Sequence, residues 1–172
     1  MRNIGFSGGS STKELGTISD VVLFFECLKL FVERKYPEQN WHLLTDRLYK
    51  RYLRQEEVEG AKAQMEQVRQ LFMSLPSSSV EWDTVRLANV EESRLDLSFP
   101  MLSDVFFRYF DAFSYCIESA KVNYEEFKSY PDYKYEPVKV VITDMPLYME
   151  DQYRSLEEYD ALSPDDPPFW LR

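Results

Sequence analysis

The chain has 172 residues, 44% of them hydrophobic and 29% charged, which suffices for one domain with a core of its own. Five glycines are too few for a propeller or a turn-rich barrel, and the most apolar run, Val21 to Phe25, is far short of a membrane span. A net charge of −10 repels nucleic-acid backbones and draws basic surfaces.

The opening residues RNIGFSGGSSTKELG predict a short strand over Ile4 to Phe6, then a turn. No apolar run follows Met1, so no secretory signal is expected. The glycines do not make a phosphate loop, because Lys13 follows a threonine where that motif needs a glycine. Residues 1–18 therefore read as a flexible opening segment.

Ser19 or Asp20 can cap a helix whose apolar stripe is Val21, Phe24, Phe25, Leu28, Phe31 and Val32, stopped by Tyr36-Pro37. A short second helix fits Trp41 to Leu53. A third fits Glu56 to Leu75, with Val58, Ala61, Met65, Val68, Phe72 and Leu75 on one side. The period then changes to two. Val80, Trp82 and Thr84 alternate with acids, as do Leu95, Leu97 and Phe99 with Asp96 and Ser98, predicting two strands. From Pro100 a long helix turns Leu102, Val105, Phe106, Tyr109, Phe113, Cys116 and Ile117 one way. A short helix over Asn123 to Tyr130, a strand through Val138, Val140 and Ile142, and a helix over Met149 to Ala161 complete the series. The fold class is α+β: one helix-rich domain with a small antiparallel sheet.

Few residues point to chemistry. Cys27 and Cys116 sit in apolar helical patterns and read as buried free thiols. His42 is the single histidine and reads as a surface residue, with no metal spacing around it. No cofactor and no catalytic residue is assigned. Doublets such as Glu56-Glu57 and Glu125-Glu126 read as solvated helix faces, since adjacent residues on a helix point in different directions. Arg47, Lys50, Arg51 and Arg54 form one basic cluster, followed at once by acids. Internal salt bridges to neighbouring helices or to the acidic terminus are expected of it, not direct nucleic-acid binding.

The last 29 residues, 144–172, carry eight acids against Arg154 and Arg172, with tyrosines interleaved. A disordered acidic tail would be poor in aromatics. The closing SPDDPPFWLR is therefore expected to dock on the domain, anchored by Phe169, Trp170 and Leu171. Asp144, Tyr148, Glu150, Asp151, Tyr153, Glu157, Glu158 and Asp160 are the candidate partner-binding residues, because tyrosine beside carboxylates suits an interface.

Taken whole, the run from MRNIGFSGGSS through PMLSDVFFRYFDAF to DDPPFWLR resembles the immunity proteins of bacterial contact-dependent growth inhibition systems. The resemblance carries no residue over by position. It implies a cytoplasmic monomer that binds the toxin domain of a large exported effector one to one, with no membrane or nucleic-acid contact. Such toxins are frequently RNases or DNases with basic clefts, which a carboxylate-bearing inhibitor can occlude. Two other functions compete: an adaptor subunit of a cytosolic assembly, and a hydrolase working through two carboxylates.

Overall fold

Ile4 and Phe6, two residues apart, put their side chains on the same side of β1 (Asn3–Gly8), and both are fully buried. This strand is the middle of an open three-stranded sheet in the order β2-β1-β3. The computed structural model describes residues 2–80, 93–144 and 154–172. Both pairings are antiparallel. In β2 (Ser11–Thr17) Thr17 faces Asn3 and Ser11 faces Gly8; in β3 (Lys139–Ile142) Ile142 faces Ile4 and Lys139 faces Ser7.

Residues 3–17, expected as a strand fragment inside a flexible opening segment, thus form two full strands. The turn between them needs glycine at position 9, where φ is +58°. A Cβ there would also lie 2.4 Å from the Ser119 carbonyl oxygen. The same tip donates from Gly9 N to Glu136 O at 3.0 Å, and from Ser10 N to Ser119 Oγ at 3.2 Å. The hairpin tip is therefore bolted to a helix and a loop from the far end of the chain.

The α-helices of the described residues are α1 (Ile18–Lys35), α2 (Val58–Met73), α3 (Leu102–Val105), α4 (Phe107–Phe127) and α5 (Leu156–Asp160). The cap of α1 is Thr17, not Ser19 or Asp20. Its hydroxyl accepts from Asp20 N at 3.3 Å while the Asp20 carboxylate accepts from Thr17 N at 3.4 Å, a reciprocal capping box. Asp20 is fully buried and takes two further bonds, from Ser93 Oγ at 2.6 Å and Arg94 N at 2.9 Å. One side chain so ties the helix start to a distant loop.

Three other expectations change. The helix expected over Trp41 to Leu53 runs from His42 to Lys50 and is π-helical over Leu43–Leu48. The long helix from Pro100 breaks at Phe106 into α3 and α4, and the separate helix over Asn123 to Tyr130 is the end of α4. Leu95, Leu97 and Phe99 form no strand. Leu95 and Leu97 are half-buried between exposed neighbours, as alternation predicts, but Asp96 bonds Ser98 N at 3.0 Å and turns the chain. The rest of the Val80, Trp82, Thr84 strand, and Met149 to Tyr153 of the last helix, lie outside the described residues.

The core joins α1, α2, α3 and α4 to one face of the sheet. Phe24 is its hub, with ring centroids of Phe25, Phe72, Phe106, Tyr109 and Phe110 all within 6.4 Å. Leu28, Phe31, Met65, Val68, Phe72, Phe106, Tyr109 and Phe113 are all buried, as the helical stripes require. Each such side chain removed from water contributes about 1.5–3 kcal/mol.

Cys27 and Cys116 are free and buried. Burial pushes the Cys116 thiol up to about 12, and its Sγ lies 3.5 Å from the Phe6 carbonyl oxygen. A thiol whose folded pKa is raised from 9.0 to about 12 favours the native state fully below pH 9. That preference is lost as pH rises through 12. Denaturant titrations between pH 9 and 11 should therefore show stability falling less steeply in Cys116→Ala than in the unaltered chain, by about 1 kcal/mol per pH unit. Identical slopes would mean that the native thiol ionises as freely as the unfolded one.

Candidate functional site

The basic cluster is the first place where charge is gathered, and apart from the exposed Arg54 it is turned inward. Arg51 donates to the Tyr159 and Leu162 carbonyl oxygens at 2.7 and 2.8 Å, at the C-terminal end of α5. Lys50 donates to the carbonyls of Ser163 and Pro164. Arg47 pairs with Glu57 at 3.3 Å, and Arg54 lies 3.8 Å from Asp160. Lys50, Arg51 and Arg54 thus clamp the C-terminal segment. Beyond them Trp170 is 2% exposed, its indole N–H donating to Tyr49 O at 2.9 Å, with Tyr159 and Phe169 edge to face at 5.1 Å. The terminal Phe-Trp-Leu is docked.

The same contacts show how the candidate partner-binding acids are placed. Asp144 accepts from the backbone N–H and the side-chain amide of Asn3. Asp160 accepts from the Tyr52 hydroxyl at 3.0 Å. Glu158 closes a capping box with Ser155 at the start of α5, and these bonds hold its carboxyl below the usual range. Glu157 is exposed on the first turn of α5. Tyr148, Glu150, Asp151 and Tyr153 lie outside the described residues.

A second surface was not anticipated as a site. Helix α4 buries Tyr109, Phe113, Cys116, Ile117 and Ala120, and at helical spacing on its opposite side stand Phe107, Asp111, Tyr115, Glu118 and Val122. Phe107 is 66% exposed, Tyr115 53% and Val122 58%. Lys13 of β2 reaches over Tyr115, its ammonium 4.0 Å from the ring centre.

The helix ends in a hollow of about 520 Å³, walled by Asn123, Phe127, Tyr130, Asp132, Tyr133 and Glu136. Successive turns build it. Tyr130 N donates to Phe127 O at 3.0 Å and Tyr133 N to Tyr130 O at 3.1 Å, so the chain curls back over the helix end. Phe127 and Tyr130 are ring neighbours at 5.9 Å, tilted by 50°, and Tyr133 meets Tyr124 at 6.4 Å. Partial burial raises the Glu136 carboxyl above the usual range, with Lys139 opposing the shift. The sequence signal was present as four tyrosines and a phenylalanine among charges from Tyr124 to Tyr135, but it reads equally well as a half-buried helix.

His42 is exposed and pairs with Asp46 one turn on, at 3.2 Å. Among the described residues no three of His, Cys, Asp and Glu converge as metal ligands, and no helix is long and apolar enough to cross a membrane. No family model matches the chain, and no curated protein and no solved structure is significantly similar to it.

Proposed function

We propose that this chain is an immunity protein, a cytoplasmic and non-catalytic inhibitor that binds a basic toxin domain one to one and covers its nuclease cleft. The observation that carries the reading is the outer side of α4, where Phe107, Tyr115 and Val122 stand exposed among Asp111 and Glu118. Single exposed apolar residues are ordinary, but three on one helix stripe offer area that a partner can desolvate. The chain's charge of −10 supplies the attraction that brings a basic surface to it. The acids from Asp144 to Asp160, with Tyr148 and Tyr153, form the steering flank in this reading.

The test uses the tagged full-length chain as bait in its native host, with mass spectrometry of what it retains. The expected partner is basic, and its nuclease activity falls to zero at one equivalent of the inhibitor. A retained partner that is acidic, or a nuclease that stays active at saturation, overturns the reading in favour of an adaptor role. Surface plasmon resonance on the same pair checks the steering flank. Glu157→Lys should slow association roughly two- to fivefold at low salt and flatten its salt dependence. Glu157 is the cleaner probe, because Glu158→Lys would also break the cap of α5. Unchanged association at low salt would remove this flank from the site.

A further inference from the structure

We infer that the hollow at the end of α4 is a receiving site for an arginine side chain projected by a protein partner. The inference rests on the reading above only for the partner's identity; the chemistry of the hollow stands by itself. Phe127 and Tyr130 are 39% and 61% exposed, and Tyr133 is half-buried beside them. Asp132 and Glu136 supply carboxylates, and Asn123 an amide, within the same concavity.

Aromatic faces carry negative potential and attract a cation laid over them. A guanidinium is flat, weakly hydrated and carries five N–H donors, so it can stack on a ring and give two parallel bonds to one carboxylate at once. An ammonium cannot do both. Within the protein both kinds of cation lie over rings, Arg154 with its guanidinium carbon 3.9 Å from the Phe169 ring centre and Lys13 with its ammonium 4.0 Å from Tyr115, so the discrimination rests on pairing with a carboxylate at the same time. The cations nearest the hollow do not occupy it in that way. Lys128 is held by Glu125 at 2.9 Å and lies over Tyr124; Lys139, which acts on Glu136, has its ammonium 4.9 Å from the Tyr159 ring centre; and Lys134, itself a lining residue, is exposed.

The site is also preformed, which lowers the ordering cost of binding. The segment that lines it is tied to the β1–β2 hairpin through Gly9 N to Glu136 O, and next to Glu136 the Tyr135 hydroxyl donates to Leu53 O at 2.9 Å. Glu136 is an exposed residue whose surroundings raise its carboxyl above the usual range, and pairing with a guanidinium offsets that shift.

The test needs no toxin. Nα-acetyl-arginine amide is titrated into the ¹⁵N-labelled full chain and followed by amide shifts. Saturable shifts are expected at Asn123, Phe127, Tyr130 and Tyr133, with a millimolar Kd. Nα-acetyl-lysine amide should bind roughly fivefold more weakly, and the norleucine amide should give no saturable shift. Tyr130→Ala and Asp132→Asn, both at exposed positions, should each weaken arginine binding roughly three- to tenfold while leaving the remaining spectrum in place. Absence of saturation at the hollow, equal binding of lysine or norleucine, or undiminished binding in both variants overturns the inference. A silent titration would leave toxin neutralisation to its own assay. A positive one beside an uninhibited nuclease would keep the hollow and remove the toxin.

Discussion

Phe24→Ala should destabilise the protein by about 3–5 kcal/mol in chemical denaturation, the largest loss expected from any single truncation. The ring is fully buried and is shared among α1, α2 and α4 through Phe72, Phe106, Tyr109 and Phe110. Five aromatic neighbours cannot collapse into the vacated space without leaving their own rotamers, so most of the cavity should persist. With total stability typically 5–15 kcal/mol, this variant sits near the edge of folding. Phe24→Leu, which keeps much of the volume, should recover more than half of the loss. A loss below about 1 kcal/mol for the alanine variant would mean that the cluster is not packed as described.

Trp170→Ala is expected to release the C-terminal segment before the rest of the chain unfolds. Hydrogen exchange at the Ala161 and Leu162 amides, which bond to Glu157 O and Tyr159 O, should accelerate roughly 100-fold, the equivalent of about 3 kcal/mol. Amides in α1 and α4 should keep their protection. The segment has its own small apolar cluster of Tyr52, Tyr159 and Leu162, separate from the main core, so it can open as a unit. Unaltered exchange at Ala161 and Leu162 would show that Arg51 and Lys50 hold the segment without the indole.

The helical part of this fold was readable because a stripe at a period of 3.6 needs only local residues. Val21 to Val32, Val58 to Phe72 and Leu102 to Ile117 display theirs openly. The hairpin was not readable for a local reason: Gly5, Gly8, Gly9 and Gly16 interrupt the alternation that would mark β1 and β2. Leu95 to Phe99 shows the converse. Its alternation placed Leu95 and Leu97 correctly against the core but misplaced Phe99, which is exposed, and a strand also needs a neighbour, which the pattern cannot supply. The candidate site divides in the same way. Acids and tyrosines are countable in a sequence, whereas the partners that occupy them are not. Asp160 meets Tyr52 across 108 positions and Asp144 meets Asn3 across 141, so which carboxylates remain available is decided by tertiary structure. The hollow escaped notice because its rings are assembled by turns after α4, where no periodicity announces concavity.

The sheet order also bears on synthesis. Strand β1 is made about 130 residues before β3, so one of its edges stays bare until β3, at residues 139–142, has been added. At ordinary translation rates that interval is roughly 7–27 s, during which a ribosome-bound chain offers an open, apolar strand edge. Nascent chains halted before Lys139 are therefore expected to be ready clients for holding chaperones and prone to clump when these are scarce. The finished protein, its central strand flanked on both sides, would no longer compete for them.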